Sequence, residues 1–186
     1  MTPRLETPRL LLCPLELADA AQAQPLFATW ENVRFLSARV PWPYPPDGAL
    51  THYRDVVLPG MARGDTWAWS LRPRAEPELL IGAITLWKHE QDQRGFWLGR
   101  QWQRQGLMTE ACDAVTGFWF EVLGMPVLRT SKAVENEPSR RISIRQGMRF
   151  VRTEERDAVC GRIPSEVWEI TAEEWRAGRP ARPGSA

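Results

Sequence analysis

The run Gln103-Arg-Gln-Gly106-Leu-Met-Thr109 constrains the fold more than any other stretch of the chain. Upstream of it, residues 94–98 alternate in the manner of a short strand. Downstream, Ala111, Val115, Phe118 and Val122 recur at spacings of four, three and four, which marks one apolar face of a helix. A strand that bends at a glycine and enters a helix points several main-chain N–H groups at one spot. Their unsatisfied donors and the positive end of the helix dipole attract phosphate there.

The remaining pattern surrounds this junction with mixed α/β structure. Residues 9–13 form an apolar run ended by Pro14, consistent with a buried strand, and residues 16–30 read as a helix. Residues 40–46 hold four prolines in seven positions, which excludes both helix and central strand. Asp47 stands where it can cap a second helix that Gly64 ends. Strands are expected over 67–72, 79–87, 94–98 and 127–133, with a closing pair over 150–159 and 164–170. The helix after Gly106 runs to Leu123, and a short one begins near Pro138 and stops at Gly147. Thr171 and Glu174 have capping-box spacing for a final half-helix. Hairpins come first and helical crossovers follow, so the sheet is mixed and partly antiparallel. We expect one domain over residues 1–178 and a disordered tail over 179–186.

Composition narrows the function. With 43% apolar residues, 25% charged residues and a net charge of +1, no nucleic-acid partner is expected. Of 24 basic residues only Lys88 and Lys132 are lysines, an arginine bias that reads as genomic composition. Cys13, Cys112 and Cys160 are odd in number and widely spaced, against both a disulfide framework and a zinc site. With two histidines, His52 and His89, neither a histidine metal site nor a serine–histidine triad has support. No metal is expected. The absence of a long apolar stretch and of a signal-peptide layout gives a cytoplasmic, non-membrane expectation.

The phosphate-bearing ligand is narrowed next. A nucleotide P-loop needs Gly-x-x-x-x-Gly-Lys-Ser/Thr, and neither lysine has that context. A dinucleotide fingerprint needs Gly-x-Gly-x-x-Gly, which Gly95, Gly99 and Gly106 do not form. The hexapeptide Gln103 to Met108 resembles the acetyl-coenzyme A signature Gln/Arg-x-x-Gly-x-Gly/Ala of the GNAT N-acetyltransferases. Thr7-Pro-Arg-Leu-Leu-Leu, Trp97-Leu-Gly, the segment from Trp102 to Ala111, Asn136-Glu-Pro-Ser-Arg-Arg and Gln146-Gly-Met-Arg-Phe150 are similar to the ribosomal-protein (RimJ/RimL-like) branch, in its order along the chain. Two positions depart from the family pattern: Met108 replaces Gly or Ala, and Arg104 stands where many relatives carry Gly.

The resemblance implies a GNAT fold: a mostly antiparallel central sheet of about seven strands, flanked by helices and splayed between the fourth and fifth strands. It implies acetyl-CoA as co-substrate, its pantetheine arm lying in the splay against Trp97, Leu98, Gly99 and Arg100. Its diphosphate then meets Gln103, Arg104, Gln105, Gly106, Leu107, Met108 and Thr109, with Asn136 and Ser139 as further contacts. The branch implies transfer to a protein or peptide N-terminal α-amine by direct attack in a ternary complex, from a monomer or homodimer. A small amine acceptor (amino acid, polyamine or antibiotic) and a non-catalytic acyl-CoA-binding module are the alternatives.

Many relatives use a tyrosine on the leaving thiolate, but Tyr44 and Tyr53 lie far upstream, which leaves Ser139 as the candidate acid. The plain alternative for Ser139 is a helix-start hydroxyl that satisfies backbone. Glu90 and Glu31 are the candidate bases; both also read as surface charges, and a water relay serves instead. Trp42 and Tyr44 in the proline-rich segment, with Trp87, are the candidate walls of the acceptor cleft; a packed connecting loop accounts for that segment equally well.

Overall fold

The structure is a computed structural model that describes residues 1–178; the expected disordered tail falls outside the described residues. Strands β1 (Leu5–Glu6), β2 (Leu10–Pro14), β3 (Thr66–Pro73), β4 (Gly82–Trp87) and β5 (Arg94–Leu98) make an antiparallel sheet in that order. Strands β6 (Val127–Ala133), β7 (Arg149–Ala158) and β8 (Gly161–Thr171) make a second, ordered β6-β8-β7. Apart from the two-residue β1 there are seven strands, divided between the fourth and the fifth as the resemblance implies. Residues 79–81, expected within a strand, precede β4, although Ile81 N–H still donates to the Leu71 carbonyl.

Helices cover both faces. One face packs on α5 (Leu107–Gly117), through Ile84 and Leu86 of β4, Trp67, Trp69 and Leu71 of β3, and Ala111, Cys112 and Val115 of the helix. The opposite face carries Ala68, Ala83 and Leu80 against α1 (Ala20–Phe27), α3 (Gly48–His52) and α4 (Leu58–Arg63). The period-two alternation of β3 and β4 thus serves two cores at once. Each fully buried Leu or Ile contributes roughly 2 kcal/mol by leaving water.

Three expected helices differ in detail. The segment over 16–30 breaks: a 3-10 turn over Leu17–Asp19 leads into α1, and Thr29, in extended conformation, starts a separate turn α2 (Trp30–Val33). The second helix passes through a π-turn, Tyr53–Val57, between α3 and α4, and ends as expected at left-handed Gly64. Asp47 precedes α3 without capping its backbone; its carboxylate meets the Thr51 hydroxyl at 3.4 Å. The helix after Gly106 is α-helical to Gly117 and then a π-turn, Phe118–Val122.

The proline-rich segment is docked by one side chain. Gln24 donates from Nε2 to the Pro45 carbonyl and accepts at Oε1 from the Ala49 N–H, both at 2.8 Å. Two short helices remain: α6 (Glu137–Arg145), with Pro138 in its first turn, and α7 (Ala172–Ala177), opened by the Thr171–Glu174 capping box.

Candidate active site

The two sheets meet along β5 and β6, which touch only near their starts. There Gln93 N–H donates to the Arg129 carbonyl at 2.9 Å, Arg129 N–H to Gln93 Oε1 at 2.6 Å, and Ser131 N–H to Asp92 Oδ1 at 3.1 Å. Beyond that base the strands belong to different sheets and an opening lies between them. The ladder between β4 and β5 decides which groups face it. Gly99 N–H reaches the Ile81 carbonyl and Trp87 N–H the Gln93 carbonyl, so odd-numbered residues turn their peptide groups toward β4. By alternation Arg94, Phe96 and Leu98 turn theirs toward the opening. One of these is already used: the Leu98 carbonyl accepts from Gln103 Nε2 at 3.0 Å.

At the head of the opening the chain makes a 3-10 turn, Arg100–Trp102, and then bends through two left-handed residues, Arg104 at φ 63° and Gly106 at φ 78°. Glycine adopts that conformation freely; arginine does not. The N–H groups of Leu107, Met108 and Thr109, the first turn of α5, find no acceptor among the described residues. Three convergent donors on an eleven-residue helix, beside a glycine and below an unpaired strand edge, suit a diphosphate that continues into an amide-bearing arm.

A network from β2 holds this turn. Arg9 Nη1 donates to the Gln105 carbonyl at 2.9 Å, and Arg9 Nε to Glu110 Oε2 at 2.7 Å. Glu110 also accepts from the Thr7 hydroxyl and the Arg9 N–H. Burial works against the Glu110 charge, yet these bonds from Thr7 and Arg9 hold its carboxyl below the ordinary carboxylate range. A Cβ built on Gly106 would come 3.5 Å from Arg9 Nη2, so a guanidinium borders the turn as well as tethering it.

On the other side of the opening, β6 leads into α6. Asn136 caps α6, its Oδ1 accepting from the Ser139 N–H at 3.4 Å. Ser139 is buried, and its hydroxyl makes no hydrogen bond to another described residue. Ser139, Ser143 and Gln146 are all buried along one side of α6. Gln146 Nε2 donates to Asp113 and to Thr116 on α5, and Arg94 Nη1 donates to the same Thr116 hydroxyl at 2.7 Å.

The opposite face of β5 is aromatic. Trp97 meets Phe27 edge-on at 5.5 Å, and Phe27 meets Tyr44 at 5.0 Å. Trp42, exposed, leans on Trp30 at 5.3 Å. Trp87 lies over Gly95, where a Cβ would strike its ring at 2.6 Å. The structure therefore joins Tyr44 to Trp97 through Phe27 and sets Trp87 two residues away along β5. Glu31 and Glu90 are not brought together. Glu31 is exposed on α2, and Glu90 is exposed in the β4–β5 turn, its carbonyl accepting from Arg129.

Sequence reasoning did not single out Arg9, Glu110, Asp92, Arg94 or Lys132 as site residues. Thr7-Pro-Arg9 was visible as an opening strand, but its tie to Glu110 spans about a hundred residues. A lysine in the apolar pattern of β6 was the one signal for Lys132. Among the described residues no group of three or more His, Cys, Asp or Glu side chains could hold a metal, and no helix is long and apolar enough to cross a membrane.

No curated protein sequence matches the chain. Solved structures match its fold: the RimL ribosomal alpha-N-protein acetyltransferase in complex with coenzyme A, at TM-score 0.77 and 13% identity, covers 91% of this chain and 98% of its own. The ribosomal-protein-S5-alanine acetyltransferase from Vibrio fischeri matches at TM-score 0.77 and 12% identity, over 96% of this chain and 100% of its own. The microcin C7 self-immunity acetyltransferase MccE, in complex with acetyl-CoA and AMP, matches at 0.74 and 11%, over 88% and 93%. The model of the acetyltransferase (GNAT) domain matches residues 9–149. The strands that part beyond a shared base, the glycine turn and this match together make the chain a member of the GNAT acetyltransferase family.

Proposed function

We propose that this acetyl-CoA-dependent N-acyltransferase acts on the N-terminal α-amine of a protein or peptide, by direct attack in a ternary complex. Acetyl-CoA supplies an activated acyl carbon and a thiol leaving group of ordinary pKa about 8.5. The N–H groups of Leu107, Met108 and Thr109 bind the diphosphate. Those of Phe96 and Leu98 bind the arm and polarise the thioester carbonyl, and a fixed donor of this kind contributes about 3 kcal/mol to a developing oxyanion. Ser139, with its free hydroxyl, donates a hydrogen bond to the departing sulfur.

The acceptor assignment rests on the aromatic face and on the exposure of both expected bases. Tyr44, Phe27, Trp97 and Trp42 suit an extended peptide end. Glu31 and Glu90 are solvated, which suits an amine that needs little help losing its proton. An α-amine titrates near 7.7–8.0 and supplies a sizeable neutral fraction unaided, whereas a lysine at about 10.4 does not. A water relay then carries the proton away. A thiol-release screen across peptides with different first residues, free amino acids and aminoglycosides tests this. Turnover confined to peptides is the expected result, and aminoglycoside turnover with inert peptides reverses the assignment.

A further inference from the structure

We propose that Lys132 is a catalytic residue of this transferase: its ε-amine, at the foot of the opening between β5 and β6, supplies the positive charge and the proton that receive the coenzyme A sulfur as it leaves. The inference rests on the proposed placement of acetyl-CoA in that opening and adds a residue to the chemistry there.

Geometry carries the assignment. Ser131 makes the last hydrogen bond between β6 and the base of β5, so Lys132 is the first residue of β6 past the point where the strands part. Its Nζ reaches across from β6 to β5 and stands 5.0 Å from the centre of the Phe96 ring. Lys132 is 7% exposed, and Nζ has no hydrogen-bond partner among the described residues. Its contact with the Phe96 ring face leaves the three N–H donors of the ammonium available to an incoming anion.

One carboxylate, Asp92, offsets its charge. From the turn before β5, Asp92 faces Lys132 but is committed to Ser131 N–H and lies 3.9 Å from Arg156. From β5, Arg94 is fully buried and bonds Thr116 and the Met148 sulfur, not an acid. From α5 comes the buried Cys112 thiol, and from β7 the Arg156 guanidinium. Directly opposite on β8, Glu166 is held by Arg140 and by the Trp168 indole N–H. Positive charge therefore exceeds negative around Nζ, an environment that stabilises an anion arriving in the opening.

The protonation state fits the role. Burial above all, with Arg94 and Arg156 adding to it against Asp92 and Cys112, brings the Lys132 ammonium down to about 8. That is close to the pKa of about 8.5 of an alkyl thiol, the condition under which a donor passes its proton most effectively. As the acceptor nitrogen bonds to the acyl carbon and the carbon–sulfur bond breaks, the sulfur keeps the bonding pair and takes the proton from Nζ. The neutral lysine regains a proton from solvent, which has received the one lost by the acceptor amine, so the reaction balances to amide and free thiol.

The test uses wild type, Lys132→Met and Lys132→Arg, with coenzyme A and its desulfo analogue as probes. Ultraviolet titration of the bound thiol should show its pKa lowered by about 1 unit or more in wild type and Lys132→Arg, and unshifted in Lys132→Met. In turnover, Lys132→Met should lower kcat about 100-fold with little change in KM for acetyl-CoA. Lys132→Arg keeps the positive charge but cannot give up its proton, so it should also lower kcat, by less than Lys132→Met, and should lack the fall in rate above about pH 8 expected of wild type. Equal binding of the desulfo analogue by all three shows that the site is folded. Identical thiol titrations in wild type and Lys132→Met overturn the Lys132 role and leave the cofactor site standing, as does acetylation of Nζ itself during turnover. Failure of wild type to bind either probe removes the cofactor placement and the Lys132 role with it.

Discussion

Arg9 and Glu110 are joined twice, main chain and guanidinium both donating to one carboxylate at 2.8 and 2.7 Å, and the same guanidinium bonds the Gln105 carbonyl. The first long strand thereby fixes the turn that opens α5. Glu110→Gln should cost about 1–2 kcal/mol, since bonds to a charged acceptor are lost while the site is only partly shielded. It should also weaken acetyl-CoA binding several-fold by releasing the turn. The effect depends on pH with a definite sign. The folded state holds Glu110 below its ordinary range, so its contribution is full above the unfolded pKa of about 4.3 and is lost as pH falls through the folded value. Denaturant melts from pH 7 to pH 3 should show wild type and variant converging in acid.

Gly106 combines positive φ with a position below the unsatisfied N–H groups. A Cβ there meets nothing nearer than Arg9 Nη2 at 3.5 Å, so steric overlap is not the main penalty. Gly106→Ala should cost about 1–2 kcal/mol from the left-handed backbone and weaken acetyl-CoA binding modestly. Gly106→Asp adds a carboxylate against a diphosphate and should abolish measurable binding. Calorimetry that finds wild-type affinity in the Asp variant removes the proposed diphosphate site.

Arg104 also has positive φ, at 63°, without being glycine. Its backbone cost is local and its side chain is exposed. Arg104→Gly should therefore raise stability by about 1 kcal/mol, the relief of the left-handed conformation less the greater freedom that glycine has when unfolded. A lower melting temperature in the variant would mean that the guanidinium contributes a contact stronger than that strain.

Much of the fold was legible because the local signals agree with one another. Strand β6 and the α5 start were readable from alternation, the glycine turn and the apolar face, and Asn136 and Pro138 marked the start of α6. The break at Thr29 and the π-turns were not. Neither Thr29 nor residues 53–57 and 118–122 include the Gly or Pro that marks a break in sequence. Arg9 with Glu110, and Lys132 with Phe96, were hidden because each pair is made by tertiary contacts between distant segments, and periodicity reports only on neighbours. Arg104, visible as a departure from the family pattern, gains its meaning from a φ angle that sequence alone does not give.

Tyr44 is joined to Trp97 through Phe27, in edge-on contacts of 5.0 and 5.5 Å. If that aromatic face receives the acceptor, Tyr44→Ala should raise KM for a peptide substrate about tenfold while leaving KM for acetyl-CoA unchanged. Burial raises the Tyr44 hydroxyl above its ordinary pKa, so it stays neutral through the working range and contributes no pH dependence of its own. Parallel increases in both KM values would instead assign Tyr44 to general packing.

Ser139 has a buried position, a backbone N–H tied to Asn136, and a hydroxyl that bonds no other described residue. A serine kept only to cap a helix would spend its hydroxyl on nearby backbone, whereas Asn136 performs that service here. The free hydroxyl is thus available to a sulfur in the opening, and its contribution is a hydrogen bond without charge. Ser139→Ala should lower kcat about tenfold, less than the loss expected at Lys132, with acetyl-CoA affinity within about twofold of wild type. A double variant of Ser139 and Lys132 should lose less than the product of the single effects, because both act on one sulfur. Steady-state rates with the best peptide from the acceptor screen measure this directly. Unchanged turnover in Ser139→Ala ends its role on the leaving group and leaves the lysine as the sole partner proposed for the thiolate.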